Sequence, residues 1–361
     1  MLKAKLLITG NQAIAQGAID AGCRFYAGYP ITPQNELIAY MAAKMPQAGG
    51  VFIQAESELA AINMVFGAAA SGFRAITSSS SPGISLKQEG ISYMAGAELP
   101  GVIVNIMRGG PGLGNISPSQ SDYFQATRGG GHGDYRCIVL APASVQEAYD
   151  FMPLAFKLAE RYRNPVIILG DGMLGQMMEP LRAYRISHIA YRNDKRLAIS
   201  NKLKPWALTG CRGRKPNIIK SLYLKEGDLE KLNLKLQKKY KEAQEKEQRY
   251  AGLFLRDARV VLVAYGMMAR IAAGAVRSLR EKGRKIGLVR AITLWPFPRD
   301  IFKRIVSQAN KVTFLVVEMS HGQMLEDVKL ALAGKARVEF LGRAGGGIPT
   351  EEEIIKKVMG L

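Results

Sequence analysis

The chain has 361 residues, 48% of them hydrophobic and 8% aromatic, which is typical of a globular protein and excludes a disordered or fibrous one. Three scattered cysteines and three isolated histidines predict a reducing, cytoplasmic setting and exclude a zinc or iron–sulfur site held by this chain alone. No apolar stretch is long enough to span a membrane, and the amino-terminal run is too short for a signal peptide. The formal charge of +20 predicts an acidic partner, with nucleic acid as the first candidate.

The positive charge is distributed unevenly along the chain. Residues 1–181 carry 12 basic and 13 acidic side chains, whereas residues 182–250 carry 19 basic and 7 acidic ones. Residues 251–361 carry 19 basic and 10 acidic side chains. Because the excess begins abruptly near Arg182, we predict a domain boundary there. The predicted parts are a first domain over 1–181, a basic insertion or linker with a long helix over 182–255, and a second domain over 256–361.

Short apolar runs alternate with helical patterns in the first part. We predict strands that begin at Leu6, Val51, Ala75, Val102, Cys137 and Val166. Helical patterns cover residues 13–21, 57–70 and 144–161. Continuous apolar strands separated by helices indicate a parallel sheet with helices on both faces.

The alternation stops in the basic segment and returns after it. Residues 228–250 predict one long polar helix. A thin apolar stripe follows it at helical spacing: Leu229, Leu232, Leu236 and Tyr240. We interpret its charged face either as a solvated surface with i,i+4 ion pairs or as a docking surface. From Arg259 onward, strands and helices alternate again and predict a second α/β domain, which ends in a helix capped by Thr350.

Loops that follow strands are the candidate site, because open parallel sheets bind ligands at the carboxyl ends of their strands. In the loop 29–36, two prolines fix the backbone, and Thr32 is either free to meet a ligand or caps a helix. In the loop 54–61, Ser57 is a candidate helix cap. Glu58 then either stabilises the first helical turn or is a buried carboxylate that meets a ligand.

Two glycine-rich loops follow later strands. The loop 107–119 begins with Arg108, which either clamps a carboxylate or is solvated on a mobile surface loop. The glycines of 128–135 predict close backbone approach to a ligand, a partner subunit or another loop. Residues 170–172 look like the start of a magnesium–diphosphate motif. Because the paired asparagines of that motif are missing, we interpret them as a strand end and predict no metal site in this chain.

Taken together, these motifs resemble the 2-oxoacid:ferredoxin oxidoreductases. Tyr-Pro-Ile-Thr-Pro over 29–33, the Ser57-Glu58 helix opening, the loop led by Arg108 and Leu-Trp-Pro-Phe-Pro over 294–298 occur in that order. The resemblance covers nearly the whole chain. It implies the subunit in which a thiamine-diphosphate-fold pyrimidine-binding domain is followed by a transketolase-C-terminal-like α/β domain.

The resemblance also implies residue roles. Glu58 looks like the catalytic glutamate that hydrogen-bonds N1′ of the aminopyrimidine of thiamine diphosphate. Such a carboxylate favours the tautomer whose 4′-imino group takes the proton of thiazolium C2. Thr32 and Arg108 look like substrate-binding residues, the arginine meeting the substrate carboxylate. The implied cofactor-binding positions are Tyr29, Pro30, Ile31 and Glu58.

A heteromeric enzyme is implied by the same resemblance. A beta-type subunit would carry the diphosphate-binding domain, Mg²⁺ and an iron–sulfur cluster, so that the thiamine diphosphate is shared between two chains. A small ferredoxin-like subunit is expected as well, and the assembly would be a dimer of heteromers. The implied reaction is oxidative decarboxylation of a 2-oxoacid with coenzyme A to acyl-CoA, carbon dioxide and reduced ferredoxin.

The glycine loop favours a substrate with an apolar tail. Relatives specific for 2-oxoglutarate tend to carry Pro-Ser-Thr-Gly after the glycines of the arginine, whereas residues 110–116 read Gly-Pro-Gly-Leu-Gly-Asn-Ile. We therefore expect 2-oxoisovalerate or another branched-chain 2-oxoacid, with 2-oxoglutarate or pyruvate as the alternative.

A basic nucleic-acid-binding protein is the distant alternative to an enzyme. Aromatic residues are not interleaved with the basic ones as stacking platforms would be. We therefore expect no nucleic-acid partner, and we interpret the excess charge as facing acidic partner subunits or an acidic ferredoxin.

Overall fold

The computed structural model describes residues 6–183, 204–308 and 311–361. Much of the first part of the predicted basic segment, residues 184–203, therefore lies outside the described residues. The strands are β1 (Leu6–Thr9), β2 (Phe25–Gly28), β3 (Val51–Gln54), β4 (Ala75–Ser79), β5 (Gly101–Met107), β6 (Ile138–Leu140), β7 (Pro165–Asp171), β8 (Met178–Leu181), β9 (Tyr250–Leu253), β10 (Val260–Tyr265), β11 (Ile286–Ala291), β12 (Thr293–Trp295), β13 (Thr313–Glu318) and β14 (Arg337–Gly342).

Helices connect most of these strands. They are α1 (Gly10–Asp20), α2 (Asn35–Lys44), α3 (Glu58–Ala70), α4 (Ser81–Gly96), α5 (Tyr123–Thr127), α6 (Val145–Tyr162), α7 (Gly172–Gln176), α8 (Asp228–Lys246), α9 (Gly266–Glu281), α10 (Arg299–Gln308), α11 (Gln323–Leu332) and α12 (Glu351–Met359), with a short 3₁₀ turn at Pro46–Ala48. None of the helices in the described ranges has the length and apolar character needed to cross a lipid bilayer.

The larger sheet confirms the predicted α/β architecture. Within the described residues it has seven strands in the order β12-β6-β7-β5-β4-β2-β3, and all neighbours are parallel except β12 and β6. Every residue of β4, β5 and β7 is buried. Continuous burial explains the unbroken apolar runs, since helices cover both faces of such a sheet. Helix α1 packs on α6, and α3 packs on α4.

A second sheet of five described strands has the order β14-β13-β10-β11-β9, and four of these strands run parallel. Two strands, β9 and β12, link the predicted parts of the chain. Strand β9, from the predicted linker, pairs with β11 of this sheet, whereas β12 crosses over and pairs with β6 of the larger sheet. The division at 181 and 255 stays a prediction, and this exchange of strands ties its parts together.

The first predicted strand does not join the main sheet. Strand β1 pairs antiparallel with β8 in a separate two-stranded sheet, where Leu6 and Leu7 remain exposed. Only one face of this small sheet packs on the core, which is possible for an antiparallel pair but unusual for a parallel one. Strand β2 and helix α2 flank the loop 29–36 and were implied only by its position after a strand, without bounds, and helix α4 was not predicted.

The long polar helix α8 lies against the first domain instead of standing free in solvent. Its side chains Leu236 and Tyr240 are buried, whereas Leu229 at its start is 49% exposed. Lysines on α8 form ion pairs with acidic residues: Lys231 with Asp228, Lys246 with Glu242, and Lys235 and Lys239 with Glu98. Much of the basic charge of α8 is thereby compensated within the chain.

Candidate active site

The predicted site residues lie at the carboxyl edge of the larger sheet. Strands β3, β2, β4 and β5 are neighbours in that order, and each ends at a loop of the candidate site. Glu58 follows β3, Thr32 follows β2, and Arg108 follows β5. Parallel strands deliver their carboxyl ends to one edge, so residues far apart in sequence meet there.

Glu58 is the first residue of α3. Ser57 caps the helix by accepting a hydrogen bond from the backbone N–H of Ala60 at 3.1 Å. The Glu58 side chain is only 6% exposed, and its carboxylate receives no hydrogen bond from the described residues. A Cβ added at Gly83 would lie 2.5 Å from Glu58 Oε1, so a glycine at this position makes room for the carboxylate. Glu58 is therefore a nearly buried acid with free acceptor capacity.

A run of buried serines lies next to the Glu58 carboxylate. Ser78, Ser79 and Ser80 at the end of β4 are fully buried, and the hydroxyls of Ser79 and Ser80 have no hydrogen-bond partner among the described residues. Gly83 lies between Ser79 Oγ and Glu58 Oε1. Buried polar atoms without a partner are costly in a closed core and are common where a ligand completes the site.

Lys87, on α4, lies directly beneath this group. Its side chain is fully buried, and Nζ donates to Thr77 Oγ1 at 3.1 Å and to the main-chain oxygen of Glu58 at 3.4 Å. Burial lowers the pKa of Lys87 to about 7, and the Glu58 carboxylate opposes that shift.

Thr32 and Arg108 are in direct contact. Arg108 Nη1 donates to the carbonyl oxygen of Thr32 at 2.9 Å, and Nη2 donates to the carbonyl oxygen of Leu113 at 3.0 Å. The side chain is 7% exposed, and Nε has no partner among the described residues. Arg108 is therefore not a solvated arginine on a surface loop. It holds two candidate loops together and retains a donor for an anion.

The loop of Tyr29 is fixed from behind by a buried hydrogen-bond chain. Tyr26 Oη lies 2.7 Å from Ser78 Oγ, which donates to Gln34 Oε1 at 2.7 Å. Gln34 Nε2 in turn donates to the carbonyl oxygen of Tyr29 at 3.2 Å. Tyr29 and Pro30 are exposed, and Ile31 is half-buried. This chain connects the 29–33 motif to the same end of β4 that faces Glu58.

The base of the arginine loop is fixed by Asp122. Its Oδ2 accepts from Ser81 Oγ at 2.6 Å and from Asn105 Nδ2 at 2.9 Å. The backbone N–H of Arg108 donates to Ser81 Oγ at 3.0 Å. Burial raises the pKa of Asp122, and both hydrogen bonds oppose the shift. The network sets the direction in which Arg108 leaves β5.

The glycines of 128–135 approach helix α4 of the same chain. A Cβ at Gly130 or Gly131 would overlap Gln88, and the backbone N–H of Gly131 donates to Tyr135 Oη at 2.9 Å. Ser92 Oγ donates to the carbonyl oxygen of His132. Among the alternatives left open by the sequence, close packing within the chain therefore accounts for these glycines.

Gln120 joins the two sheets next to the site. Its Nε2 donates to the carbonyl oxygen of Tyr265 at 3.0 Å, and its Oε1 accepts from the backbone N–H of Met319 at 3.0 Å.

Asp171, at the end of β7, caps α7 through the backbone N–H of Leu174 and is fully buried, which raises its pKa to about 6. This placement agrees with the reading of 170–172 as a strand end.

Several residues of the site were not predicted from the sequence. Lys87 was missed because lysine ordinarily indicates a solvated position. Ser79 and Gly83 carried a usable signal, since a run of four serines followed by Pro-Gly directly after an apolar strand is unusual at a simple turn. Asp122 and Gln120 lie in irregular segments, and only the folded chain shows what they contact.

The arrangement fits the pyrimidine end of thiamine diphosphate. A nearly buried acid without a hydrogen-bond donor, unpartnered serine hydroxyls and a glycine cradle are suited to a planar ring that has both donors and acceptors. No three His, Cys, Asp or Glu side chains converge to hold a metal ion anywhere in the described ranges.

Comparisons with known proteins show the family to which the chain belongs. Residues 16–248 match the family model "Pyruvate flavodoxin/ferredoxin oxidoreductase, thiamine diP-bdg", and residues 258–354 match "Pyruvate:ferredoxin oxidoreductase core domain II". The chain is 50% identical to ketoisovalerate oxidoreductase subunit VorB of Methanothermobacter marburgensis, over 98% of this chain and 96% of that protein. It is 39% identical to 2-oxoglutarate synthase subunit KorA of Methanocaldococcus jannaschii, over 97% of this chain and 98% of that protein.

A solved structure of 2-oxoglutarate:ferredoxin oxidoreductase from Magnetococcus marinus, with 2-oxoglutarate, coenzyme A and succinyl-CoA bound, is similar in fold. The TM-score is 0.84 at 25% identity, and the match covers 99% of this chain and 65% of that one. A thiamine-diphosphate-binding fold joined to a second α/β domain defines a subunit of a thiamine-dependent oxidoreductase. The chain belongs to the 2-oxoacid:ferredoxin oxidoreductase family and is one subunit of a multi-subunit enzyme of that kind.

Proposed function

We propose that this chain supplies the pyrimidine half of the thiamine diphosphate site in an enzyme that oxidises a branched-chain 2-oxoacid to its acyl-CoA. The observation that carries the proposal is Glu58, a nearly buried acid with free acceptor capacity, at the same sheet edge as the Arg108–Thr32 contact. When bound, the cofactor would supply the carbon nucleophile and the electron storage that decarboxylation of a 2-oxoacid requires.

The chain's own residues would orient the cofactor and the substrate. Glu58 would accept a hydrogen bond at N1′ of the aminopyrimidine, and Tyr29, Pro30 and Ile31 would line the cofactor on its exposed side. A hydrogen bond to a charged group contributes about 1.5–3 kcal/mol to binding. The closed wall behind Glu58, formed by Gly83 and the end of β4, would keep water from the back of the carboxylate.

Arg108 would meet the substrate carboxylate through its free Nε and a neighbouring Nη. Thr32 would place its hydroxyl beside the 2-oxo group. The Thr32 hydroxyl accepts a hydrogen bond from Asn35 Nδ2 at 3.3 Å, which leaves its proton available for the substrate.

The preference for a branched-chain substrate is supported by the loop that Arg108 holds. Leu113 is 79% exposed and Ile116 is 64% exposed, although both follow an arginine that is itself buried. These side chains would offer an apolar surface to an isopropyl tail and no hydrogen bond to a second carboxylate. 2-Oxoglutarate or pyruvate remains the second candidate, since the 2-oxoglutarate synthase subunit KorA matches over 98% of its length and the solved 2-oxoglutarate enzyme has a similar fold.

A partner chain would complete the site. The large apolar side chains Tyr29, Leu59 and Leu86 are 39%, 45% and 56% exposed and lie in the 29–33 motif, beside Glu58 and beside Lys87. We propose that a beta-type subunit covers them and brings the diphosphate-binding domain, Mg²⁺ and an iron–sulfur cluster. A small ferredoxin-like subunit would complete the heteromer, and two heteromers would pair in the cytoplasm.

The excess positive charge would serve an acidic partner such as ferredoxin. A cleft of about 660 Å³ opens at the amino-terminal edge of the second sheet. Six cationic side chains line it: Arg259, Arg284, Lys285, Lys311, Lys335 and Arg337. Charge of one sign gathered in a cleft steers acidic partners more strongly than scattered charge does.

The experiment that tests the function is reconstitution of this chain with its partner subunits. Reduction of a viologen dye is then followed with thiamine diphosphate, coenzyme A and a panel of 2-oxoacids. The proposal expects turnover that requires both cofactors and is fastest with 2-oxoisovalerate. Turnover of none of the 2-oxoacids by an assembled complex would refute the proposal, and a clear preference for 2-oxoglutarate would favour the second candidate.

A further inference from the structure

Lys87 is a fully buried lysine whose hydrogen bonds reach only uncharged acceptors. Its Nζ donates to Thr77 Oγ1 on β4 and to the main-chain oxygen of Glu58 at the start of α3. Lysine can donate three hydrogen bonds, and the described residues accept two of them. The Glu58 carboxylate acts on Lys87 through its charge and without a hydrogen bond.

Packing alone gives no reason for an ammonium here. Taking a lysine charge out of water is among the most costly substitutions that a core accommodates, and methionine fills a similar volume without that cost. The burial of Lys87 also lowers its pKa to about 7, so that the amine is partly charged near neutrality. Among the described residues, Glu58 is the charged side chain that acts on it.

The position of Lys87 connects it to Glu58 in two ways. The hydrogen bond to the main-chain oxygen fixes the first residue of α3, so it sets where the Glu58 side chain departs from the helix. The ammonium also interacts with the adjacent Glu58 carboxylate through its charge. The half-buried lysine Lys239, on α8, instead forms an ion pair with Glu98, which lies just before β5 at the opposite, amino-terminal edge of the sheet.

We propose that Lys87 is a positioning residue that anchors the start of α3 and presents a positive charge to the Glu58 carboxylate, which faces the cofactor pyrimidine. The proposal rests on the role proposed above for Glu58 and extends it to a residue that touches neither cofactor nor substrate. Lys87 thereby tunes how strongly Glu58 acts at N1′, and it affects binding of the cofactor less, because among the described residues its hydrogen bonds go only to Thr77 and to the main chain of Glu58.

The test uses the reconstituted complex with Lys87→Met, the matched control Lys239→Met and the comparator Glu58→Gln. Two quantities are measured: the dissociation constant for thiamine diphosphate, and the rate at which the C2 proton of the bound cofactor exchanges with deuterium. Lys87→Met is expected to slow exchange about tenfold, with a much smaller change in cofactor affinity. Lys239→Met is expected to leave exchange at the wild-type rate.

A second variant keeps the test decisive. Lys87→Gln retains hydrogen-bond donors and removes the charge, so it is expected to slow exchange as Lys87→Met does, even if the methionine variant fails to assemble. Wild-type exchange in an assembled Lys87 variant, together with slow exchange in Glu58→Gln, overturns the role of Lys87 and leaves that of Glu58 intact. Wild-type exchange in Glu58→Gln overturns both roles.

Discussion

Arg108 donates a hydrogen bond from Nη1 to the carbonyl oxygen of Thr32 at 2.9 Å, which joins the loops after β5 and β2 across 76 residues of sequence. The contact turns two candidate substrate residues into one structural unit. It also leaves Nε of the guanidinium without a partner among the described residues. The same side chain therefore builds the site and retains a donor for the substrate carboxylate.

Replacement of Arg108 should therefore affect substrate binding more than the rate of the chemical step. We expect Arg108→Met to raise KM for the 2-oxoacid roughly 10- to 100-fold, because a hydrogen-bonded charge contact of about 1.5–3 kcal/mol is lost. The expected fall in kcat is smaller. The control is Arg128→Met, which removes a half-exposed arginine paired with Asp327. Steady-state kinetics of the reconstituted enzyme give both constants, and an unchanged KM for Arg108→Met would contradict the assignment.

The loop after Arg108 should set the choice of substrate tail. We expect Leu113→Thr to raise the ratio of kcat/KM for 2-oxoglutarate over 2-oxoisovalerate by about 3- to 10-fold, since a hydroxyl then replaces apolar surface. Leu113 is suitable for substitution because its side chain is exposed, whereas Gly112 and Gly114 have φ values of +70° and +65°. Leu224→Thr, at an 87% exposed leucine outside the site, is the control. A ratio that stays constant in Leu113→Thr would contradict a role of Leu113 in the choice of substrate tail.

Lys87 makes stability depend on pH with a definite sign. Its pKa is lowered from 10.5 to about 7 in the folded chain. Between these two values the unfolded chain binds more protons than the folded one, so the free energy of unfolding rises with pH across this window. Below about pH 7 both states carry the charge, and the full cost of burying it is present.

Lys87→Met removes this cost. We therefore expect the variant to have a higher Tm than the wild type, with the largest gain below about pH 7 and a shrinking gain as the pH rises toward 10.5. Thermal unfolding of the purified complex at several pH values measures the difference. A gain in Tm that is independent of pH would show that the pKa of Lys87 is the same in the folded and unfolded chains, and it would contradict the prediction.

The junction between the two sheets should depend on Gln120. Both polar atoms of its side chain bond buried main-chain groups, those of Tyr265 and Met319. We expect Gln120→Leu to lower the free energy of unfolding by about 2–4 kcal/mol, because two buried backbone groups lose their partners. Denaturant unfolding measures the loss. Gln125→Leu serves as control, because Gln125 bonds only the exposed hydroxyl of Ser85 among the described residues.

The sequence predicted those elements and contacts that depend on residues close together in the chain. Continuous apolar runs such as Val102–Ile106 predict strands buried on both faces, and the Ser57-Glu58 pair predicts the start of a helix. The structure confirms both predictions. Strand ends of a parallel sheet share an edge, so the common edge of Glu58, Thr32 and Arg108 followed from the element order. Their roles toward cofactor and substrate stay predictions.

Contacts between residues far apart in the chain could not be predicted from the sequence. Nothing near Thr293–Trp295 indicates that this strand leaves the second sheet and pairs with β6, since the pairing depends on the meeting of two distant segments. The lysines of α8 looked like a uniform basic surface, yet Lys239 pairs with Glu98, 141 residues away in sequence. Lys87 is fully buried although its residue type predicts exposure.

Glu58 carries the central claim, and one measurement tests it most directly. Glu58→Gln preserves the size of the side chain and removes its charge and its proton-accepting carboxylate. In the reconstituted complex, with saturating thiamine diphosphate, coenzyme A and 2-oxoisovalerate, we expect an assembled enzyme whose kcat is lower by at least ~100-fold. A kcat within about twofold of the wild-type value would contradict the claim that Glu58 acts on the cofactor.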